Sequence, residues 1–323
     1  MKNLLGIDIG GTKCAVVFGR TGNDEIEIVD KIKFDTTHYS ETIEQLFACV
    51  DEMMHKHNLT SENTEAIGIS CGGPLDNKTG VIMSPPNLPG WDNVHIVDMF
   101  SQKLGIKAAL ENDANACALA EYFWGAGKGS NNMVFLTFGT GLGAGIVLDG
   151  RLYSGTNGNA GEVGHIRLSD YGPVGYGKAG SFEGFCSGSG ISQLAVMKIK
   201  EKLQMGCKTF YNGTLDELHN ITAKDVAEAA NSGDELAKEI LEISACNLGK
   251  GLAVIVDILN PEVIVIGSIF TRAEKHLRPV MEKCMNMEAL SQSAEICKVK
   301  PALLGEHIGD YAALSVALNS IRK

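Results

Sequence analysis

The sequence predicts an α/β protein made of two related halves with a cleft between them, and three observations carry that prediction. A chain of 323 residues that is 44% hydrophobic can bury a large core, and at this length two domains are expected rather than one. Apolar β-type runs alternate with stretches of helical periodicity. A strand, glycine turn, strand pattern near the N-terminus also returns in mid-chain. Placing Asp8 over Thr137 aligns Gly10 with Gly139 and Thr12 with Gly141, and an apolar run follows each turn.

Residues 4–9 and 14–18 read as two strands joined by Gly10-Gly11-Thr12-Lys13. Glycines there permit a tight turn and let backbone N–H groups approach an anion; Thr12 adds a hydroxyl, and Asp8 stands at the strand end where a cation can be held. An ordinary hairpin needs the glycines but gains nothing from the acid. Residues 25–34 complete a meander. Residues 41–57 carry Ile43, Leu46, Phe47, Val50, Met53 and Met54 on one helical face, with His55 and His57 at the polar end. Residues 65–70 form a strand that ends in Cys71-Gly72-Gly73-Pro74, and crevices at such carboxyl ends are where open α/β sheets bind ligands. Three prolines in Pro85-Pro86-Asn87-Leu88-Pro89-Gly90-Trp91 forbid a regular helix, which leaves an ordered loop anchored by Trp91. A helix over 94–104 leads to a strand over 107–110.

At Leu110-Glu111-Asn112-Asp113-Ala114-Asn115 that strand passes into an alanine-rich helix running to Trp124. Asn115 or Asp113 can accept hydrogen bonds from the unpaired N–H groups of the helix start, and a carboxylate there is stabilised by the helix dipole. Capping alone would account for Asp113. After the repeated unit at 133–148, residues 155–165 are too glycine-rich for a helix and put Glu162 three residues before His165. Helices dominate from Ser187 onward, over 190–203, over 222–230 with a Thr-x-x-Asp cap, and over 234–256. Residues 263–266 make a buried strand with Gly267-Ser268 at its tip, and 309–321 form a closing helix.

Twenty-eight basic against 39 acidic residues give a net charge of −11, which repels phosphate backbones and argues against nucleic acid as a partner. The nine cysteines are scattered without a C-x-x-C pair, so neither a disulfide framework nor a thiolate metal site is indicated, and reduced thiols in a cytoplasm fit best. The N-terminus carries no signal-peptide pattern, and the most apolar later run is broken by Asp257, Asn260, Pro261 and Glu262. No membrane insertion is expected.

Six motifs in order give the sequence a resemblance to the ROK family of sugar kinases and sugar-responsive repressors. They are Asp8-Ile-Gly-Gly-Thr-Lys13, Pro86-Asn-Leu-Pro-Gly-Trp91, Glu111-Asn-Asp-Ala-Asn115, Gly139-Thr-Gly-x-Gly143, Gly161-Glu-Val-Gly-His165 and Asn260-Pro-Glu-x-Ile-x-Ile-Gly267. The resemblance implies a two-lobed ribonuclease H-like, actin-like ATPase fold with a duplicated mixed β-sheet core and an interdomain cleft. Residues 1–115 plus 306–323 would form the small lobe and residues 116–305 the large one. It implies an ATP-dependent kinase of a hexose or N-acetylhexosamine, most simply glucose at the 6-hydroxyl. Asp113 would be the general base, with Gly72, Gly73, Asn87, Asn112, Glu162, His165 and Glu183 at the sugar. Asp8, Gly10, Gly11, Thr12, Lys13, Gly139, Thr140, Gly141 and Gly143 would hold the phosphates, with Mg²⁺ reached from Asp8 through phosphate or water, and Gly267 would lie on the adenosine side. A homodimer is usual in such a family. The general chemistry agrees, since phosphoryl transfer asks the protein to position groups, neutralise charge and orient a hydroxyl.

One departure stands out. Where most members follow the histidine with three zinc-binding cysteines, this chain has Val174, Tyr176 and Ser181, which supply no thiolate, so no structural zinc is expected. Ser268 stands where a further glycine is usual. Only seven residues precede Asp8, too few for the DNA-binding domain of the family's repressors. The alternative reading is a sugar-binding, non-catalytic or regulatory protein of the same family. His165 could also be a core histidine bonded to a backbone carbonyl.

Overall fold

A computed structural model describes residues 1–22 and 25–322. The elements run, in chain order, β1 (Lys2–Ile9), β2 (Lys13–Gly22), β3 (Glu25–Asp35), α1 (Tyr39–His57), β4 (Thr64–Cys71), β5 (Leu75–Asp76), β6 (Val81–Ile82), α2 (Ile96–Leu104), β7 (Ala108–Asn112) and α3 (Asp113–Trp124). Next come β8 (Met133–Phe138), β9 (Leu142–Leu148), β10 (Arg151–Leu152), a 3₁₀ turn at Val163–His165, β11 (Val174–Gly175), β12 (Lys178–Ala179), α4 (Phe182–Phe185) and α5 (Gly188–Gln204). The rest are α6 (Ala223–Asn231), α7 (Glu235–Leu259), β13 (Val263–Ile266), α8 (Ile269–Glu288), α9 (Ser291–Ile296), β14 (Lys298–Pro301) and α10 (Ile308–Ile321).

The first sheet has the order β3-β2-β1-β4-β7. Strands β1 to β3 form an antiparallel meander, while β4 and β7 run parallel to β1. The second sheet has the order β10-β9-β8-β13-β14, with β13 parallel to both its neighbours. Read from β1 and from β8, the two sheets have the same strand plan, which is what the repeated strand, glycine turn, strand signature foretold.

Two compact units result. The first comprises Met1–Asn131, Gly145–Ala160 and Leu303–Lys323, and the second Asn132–Ala144 and Gly161–Ala302. The expected small lobe stopped at 115, whereas the first unit keeps α3. The reason is packing: Ala116, Leu119 and Ala120 of α3 share a buried cluster with Ala312 and Val316 of α10. In the first unit α1 and α2 cover one sheet face, burying Leu46, Val50, Met53 and Phe100 against Ile7, Val16 and Ile69. Helix α10 lies on the other face so closely that a Cβ on Gly68 would fall 2.0 Å from the Ala313 carbonyl oxygen and 2.3 Å from the Ala317 nitrogen. The second unit buries its sheet under α4, α5, α7 and α8.

Helix α8 is an element the sequence pattern does not single out. Pro279 lies inside it and Ala273 leaves helical geometry at φ −115°, ψ 16°, so the chain reads as two shorter helices joined at a kink. No helix among the described residues is long and apolar enough to cross a membrane.

Candidate active site

In the first unit the side chains expected at the site gather at the carboxyl ends of β1, β4 and β7. Asp8 pairs in register with Ala15 and Ser70, one residue before β1 ends. The turn that follows is closed by Gly10 N–H donating to the Lys13 carbonyl at 3.1 Å, and the Thr36 hydroxyl donates to the Gly10 carbonyl at 2.6 Å. A Cβ on Gly11 would fall 2.7 Å from the Asn87 carbonyl oxygen and 3.1 Å from its Nδ2, while one on Gly72 would lie 3.6 Å from both amide atoms of Asn87. Asn87 is thereby set between two of the glycine turns that the sequence marked. Lys13 gives its carbonyl to the turn and its side chain stays exposed.

Asn112, not Asn115 or Asp113, caps α3: its Oδ1 accepts from Asn115 N–H at 2.7 Å. Its extended backbone at φ −69°, ψ 159° lets the side chain fold back over the first turn, and Nδ2 makes no hydrogen bond with the described residues. Asn115 points elsewhere, donating to Glu111 at 3.0 Å, and Asn77 donates to the same carboxylate at 2.9 Å. Burial pushes the Glu111 carboxyl up while those two amides pull it down.

Asp113 uses Oδ1 to accept from Ala114 N–H at 2.8 Å, which fixes the carboxylate plane and leaves Oδ2 unengaged. Water still reaches this residue, yet enough protein surrounds the carboxyl that lost hydration raises it above the ordinary carboxylate range. Asp8 is raised from 3.8 to about 6, by burial first and then by the Asp310 and Asp113 carboxylates, against Lys31 and Lys33. Asp310 is a participant that the sequence reading passed over. It is 5% exposed in the first turn of α10 and paired with Lys31, and its neighbour Gly309 is where an added Cβ would lie 2.9 Å from Asp8 Oδ2. Its one sequence signal is an acid at a helix start, which dipole pairing alone would explain.

In the second unit the Gly139–Gly143 turn repeats the first, with Gly139 N–H donating to the Gly141 carbonyl at 3.1 Å. Thr137 Oγ1 accepts from Gly143 N–H at 2.9 Å. Glu183 Oε2 accepts from Leu142 N–H at 3.0 Å and sits where a Cβ on Gly141 would come within 2.9 Å. This residue, expected at the sugar, commits one oxygen to the expected phosphate turn. Gly161 is held at φ +93°, and a Cβ there would meet the Ala144 carbonyl oxygen at 2.0 Å. Only glycine fits, and this sets Glu162 exposed at the head of the 3₁₀ turn that ends in His165. The His165 imidazole makes no hydrogen bond with the described residues; its contact is the Tyr176 ring, edge to face at 5.1 Å. A core histidine bonded to a backbone carbonyl is not what is found.

A cavity of about 840 Å³ opens beside the turn, lined by Gly139 and Thr140 and by the first turns of α5, α6 and α8, among them Gly188, Thr222, Ser268 and Arg272. Gly188 N–H donates to the Gly139 carbonyl at 2.7 Å and Ser189 Oγ to the Thr140 carbonyl at 2.9 Å, which ties the α5 start to the turn. Helix N-termini present unpaired N–H groups and positive dipole ends, a favourable setting for an anion. Ser268 sits at φ 51°, ψ −109°, a conformation natural to the glycine usual there. Gly267 is buried against the Phe135 ring and Leu136, so it is Ser268 that faces the cavity. The starts of α5 and α6 are legible as helix starts, the latter by its Thr-x-x-Asp cap, but the start of α8 is not, and nothing in the sequence brings the three together around one cavity.

The ROK family model matches residues 4–319. The chain belongs to the ROK family. Glucokinase from Halalkalibacterium halodurans is 32% identical over 310 residues, covering 94% of this chain and 92% of that protein. Among solved structures, the ROK hexokinase from Thermus thermophilus superposes with a TM-score of 0.80 at 26% identity, covering 99% of each chain. The ROK glucokinase from Streptomyces griseus in complex with glucose and AMPPNP gives 0.73 at 28% identity, over 98% of this chain and 99% of that one. The fold of this ROK chain is accordingly the actin-like ATPase fold.

Two metals bear on a ROK chain. The donor set at 174, 176 and 181 does not fit zinc. Val174 has no donor, the Tyr176 ring is turned to His165, and Ser181 Oγ accepts from Gly184 N–H at 3.0 Å as the cap of α4. Mg²⁺ does fit the other end: Asp8 is a partly buried carboxylate held in a like-charged setting, and Mg²⁺ is typically bound by one or two carboxylates plus phosphate and water.

Proposed function

We propose that this chain transfers the γ-phosphoryl group of Mg·ATP to a hexose or N-acetylhexosamine, glucose at its 6-hydroxyl foremost, with Asp113 as general base. Its class is an ATP-dependent sugar kinase. The observation that carries the finer reading is the Asp113 carboxylate, pinned through Oδ1 by Ala114 N–H with Oδ2 open. The hydration its carboxyl loses to surrounding protein raises its proton affinity, which makes it a better acceptor for a hydroxyl proton than an ordinary aspartate. Asn87 and Asn112 are the hydroxyl partners in the first unit, and Glu162, His165 and Glu183 in the second. Amides, carboxylates and an imidazole together meet the mixed donor and acceptor character of a sugar. Asp8 and the turns at 10–13 and 139–143 receive the phosphates. Mg²⁺ beside Asp8 would neutralise charge building on the transferred group.

The test is ADP release with Mg·ATP across hexoses and N-acetylhexosamines, for the wild type and Asp113→Asn. One sugar should give strong turnover, and the variant should lose about 10²- to 10⁴-fold in kcat while still binding that sugar. Binding without phosphorylation of any sugar would replace this reading with that of a non-catalytic sugar-binding ROK protein.

A further inference from the structure

We propose that Tyr176 is a positioning residue for sugar binding: its ring holds the His165 imidazole in the orientation that meets the substrate. The proposal rests on the reading of His165 as a sugar contact. Three observations lead to it.

Tyr176 and Gly177 form the two-residue turn between β11 and β12, and both have positive φ, at 43° and 76°. This is the pattern of a type I′ hairpin turn, which asparagine or glycine occupies without strain and a bulky aromatic does not. Something other than the turn favours tyrosine at this place.

The hairpin is also secured without the ring. Gln193 accepts from Val174 N–H at 2.8 Å and donates to the Val174 carbonyl at 2.9 Å. Gly180 N–H donates to the Pro173 carbonyl at 2.9 Å, and Arg167 Nη1 to the Ala179 carbonyl at 2.8 Å. A Cβ on Gly175 would fall 2.6 Å from the Gly184 nitrogen, which shows how tightly the hairpin backbone lies on α4.

Tyr176 is 81% exposed, so burial of the tyrosine does not explain it either. What it does make is an edge-to-face contact with His165, with planes at 74°. Lys178, two residues on, donates through Nζ to the His165 carbonyl at 2.7 Å. One hairpin thus grips the histidine twice, at the ring and at the backbone. The imidazole nitrogens, bonded to no described residue, are left for hydroxyl groups of the sugar.

The experiment compares Tyr176→Asn, Tyr176→Phe and His165→Gln in the full chain, reading sugar Kd by calorimetry, KM for sugar and for ATP, and Tm. Asparagine suits the turn, so Tyr176→Asn should keep or raise Tm. It should weaken sugar binding about two- to tenfold, the scale of one lost aromatic contact, and leave the KM for ATP unchanged. Tyr176→Phe, which keeps the ring edge, should retain wild-type sugar affinity. In the His165→Gln background, Tyr176→Asn should add nothing further. Unchanged sugar affinity in Tyr176→Asn, with affinity lost in His165→Gln, overturns the positioning role alone. Unchanged affinity in His165→Gln overturns the reading beneath it as well. A fall in Tm with every kinetic constant disturbed would make Tyr176 a structural residue and also overturn the proposal.

Discussion

Asp8 shows how a single carboxylate is set against the stability of the protein that carries it. Its folded pKa is raised from 3.8 to about 6, so the folded state holds the proton more tightly than the unfolded chain. Stability from this group is therefore fully present below about pH 4 and is lost as pH rises through about 6. Fully ionised, Asp8 should cost the metal-free protein on the order of 3 kcal/mol. Asp8→Asn should accordingly be more stable than wild type in urea at pH 8 with EDTA, and the gap should close as pH falls from 6 toward 4. A gap independent of pH would mean that Asp8 is not the group responsible. The same residue scale explains what a sequence reading can and cannot reach. Asp8 and Asp113 stand inside motifs and are legible, whereas Asp310 is separated from both by some 200 residues or more and meets them only in space.

Among the elements, α10 makes the most demanding contact. Strands β1 and β4 present glycine at 6 and 68 where the helix crosses, and at Gly68 the obstacle to any side chain is backbone on both sides. A methyl group cannot be relieved there by a rotamer change, so the helix or the sheet must move. Gly68→Ala should cost about 3 kcal/mol or more, read as a lower midpoint in urea unfolding. A cost under about 1 kcal/mol would show that α10 is free to lift from the sheet. Elements with strong periodicity were plain from sequence: α1, α5, α6 and α7 lie within a few residues of their expected ranges. Helix α8 was not, because Pro279 and the kink at Ala273 interrupt its pattern. The cap of α3 went to Asn112 because backbone geometry, which composition does not reveal, decides among adjacent polar residues.

For the whole molecule, the duplicated plan was legible because the two glycine turns and their flanking strands align residue by residue. The boundary between units was not, since the chain passes from one to the other several times and the first unit draws on three separate segments. This dependence makes a further expectation. A chain ending at residue 302 lacks the segment that carries Leu314 and Ala317 into the cluster with Leu4, Val17 and Ala66. Such a truncation should bind a hydrophobic dye strongly and be cut by protease throughout residues 1–131, whereas the full chain should resist. Equal protection in both would show that the first sheet folds without its last helix.

The place of α10 in the chain also sets an order of events during synthesis. Strand β1, which it covers, ends at Ile9 and leaves the ribosome well before the helix, which begins at Ile308. At about 5–20 residues per second, roughly 15 to 60 s pass between the two. Throughout that interval one apolar face of the first sheet has no native cover, an exposure of the nascent protein that the finished fold does not reveal.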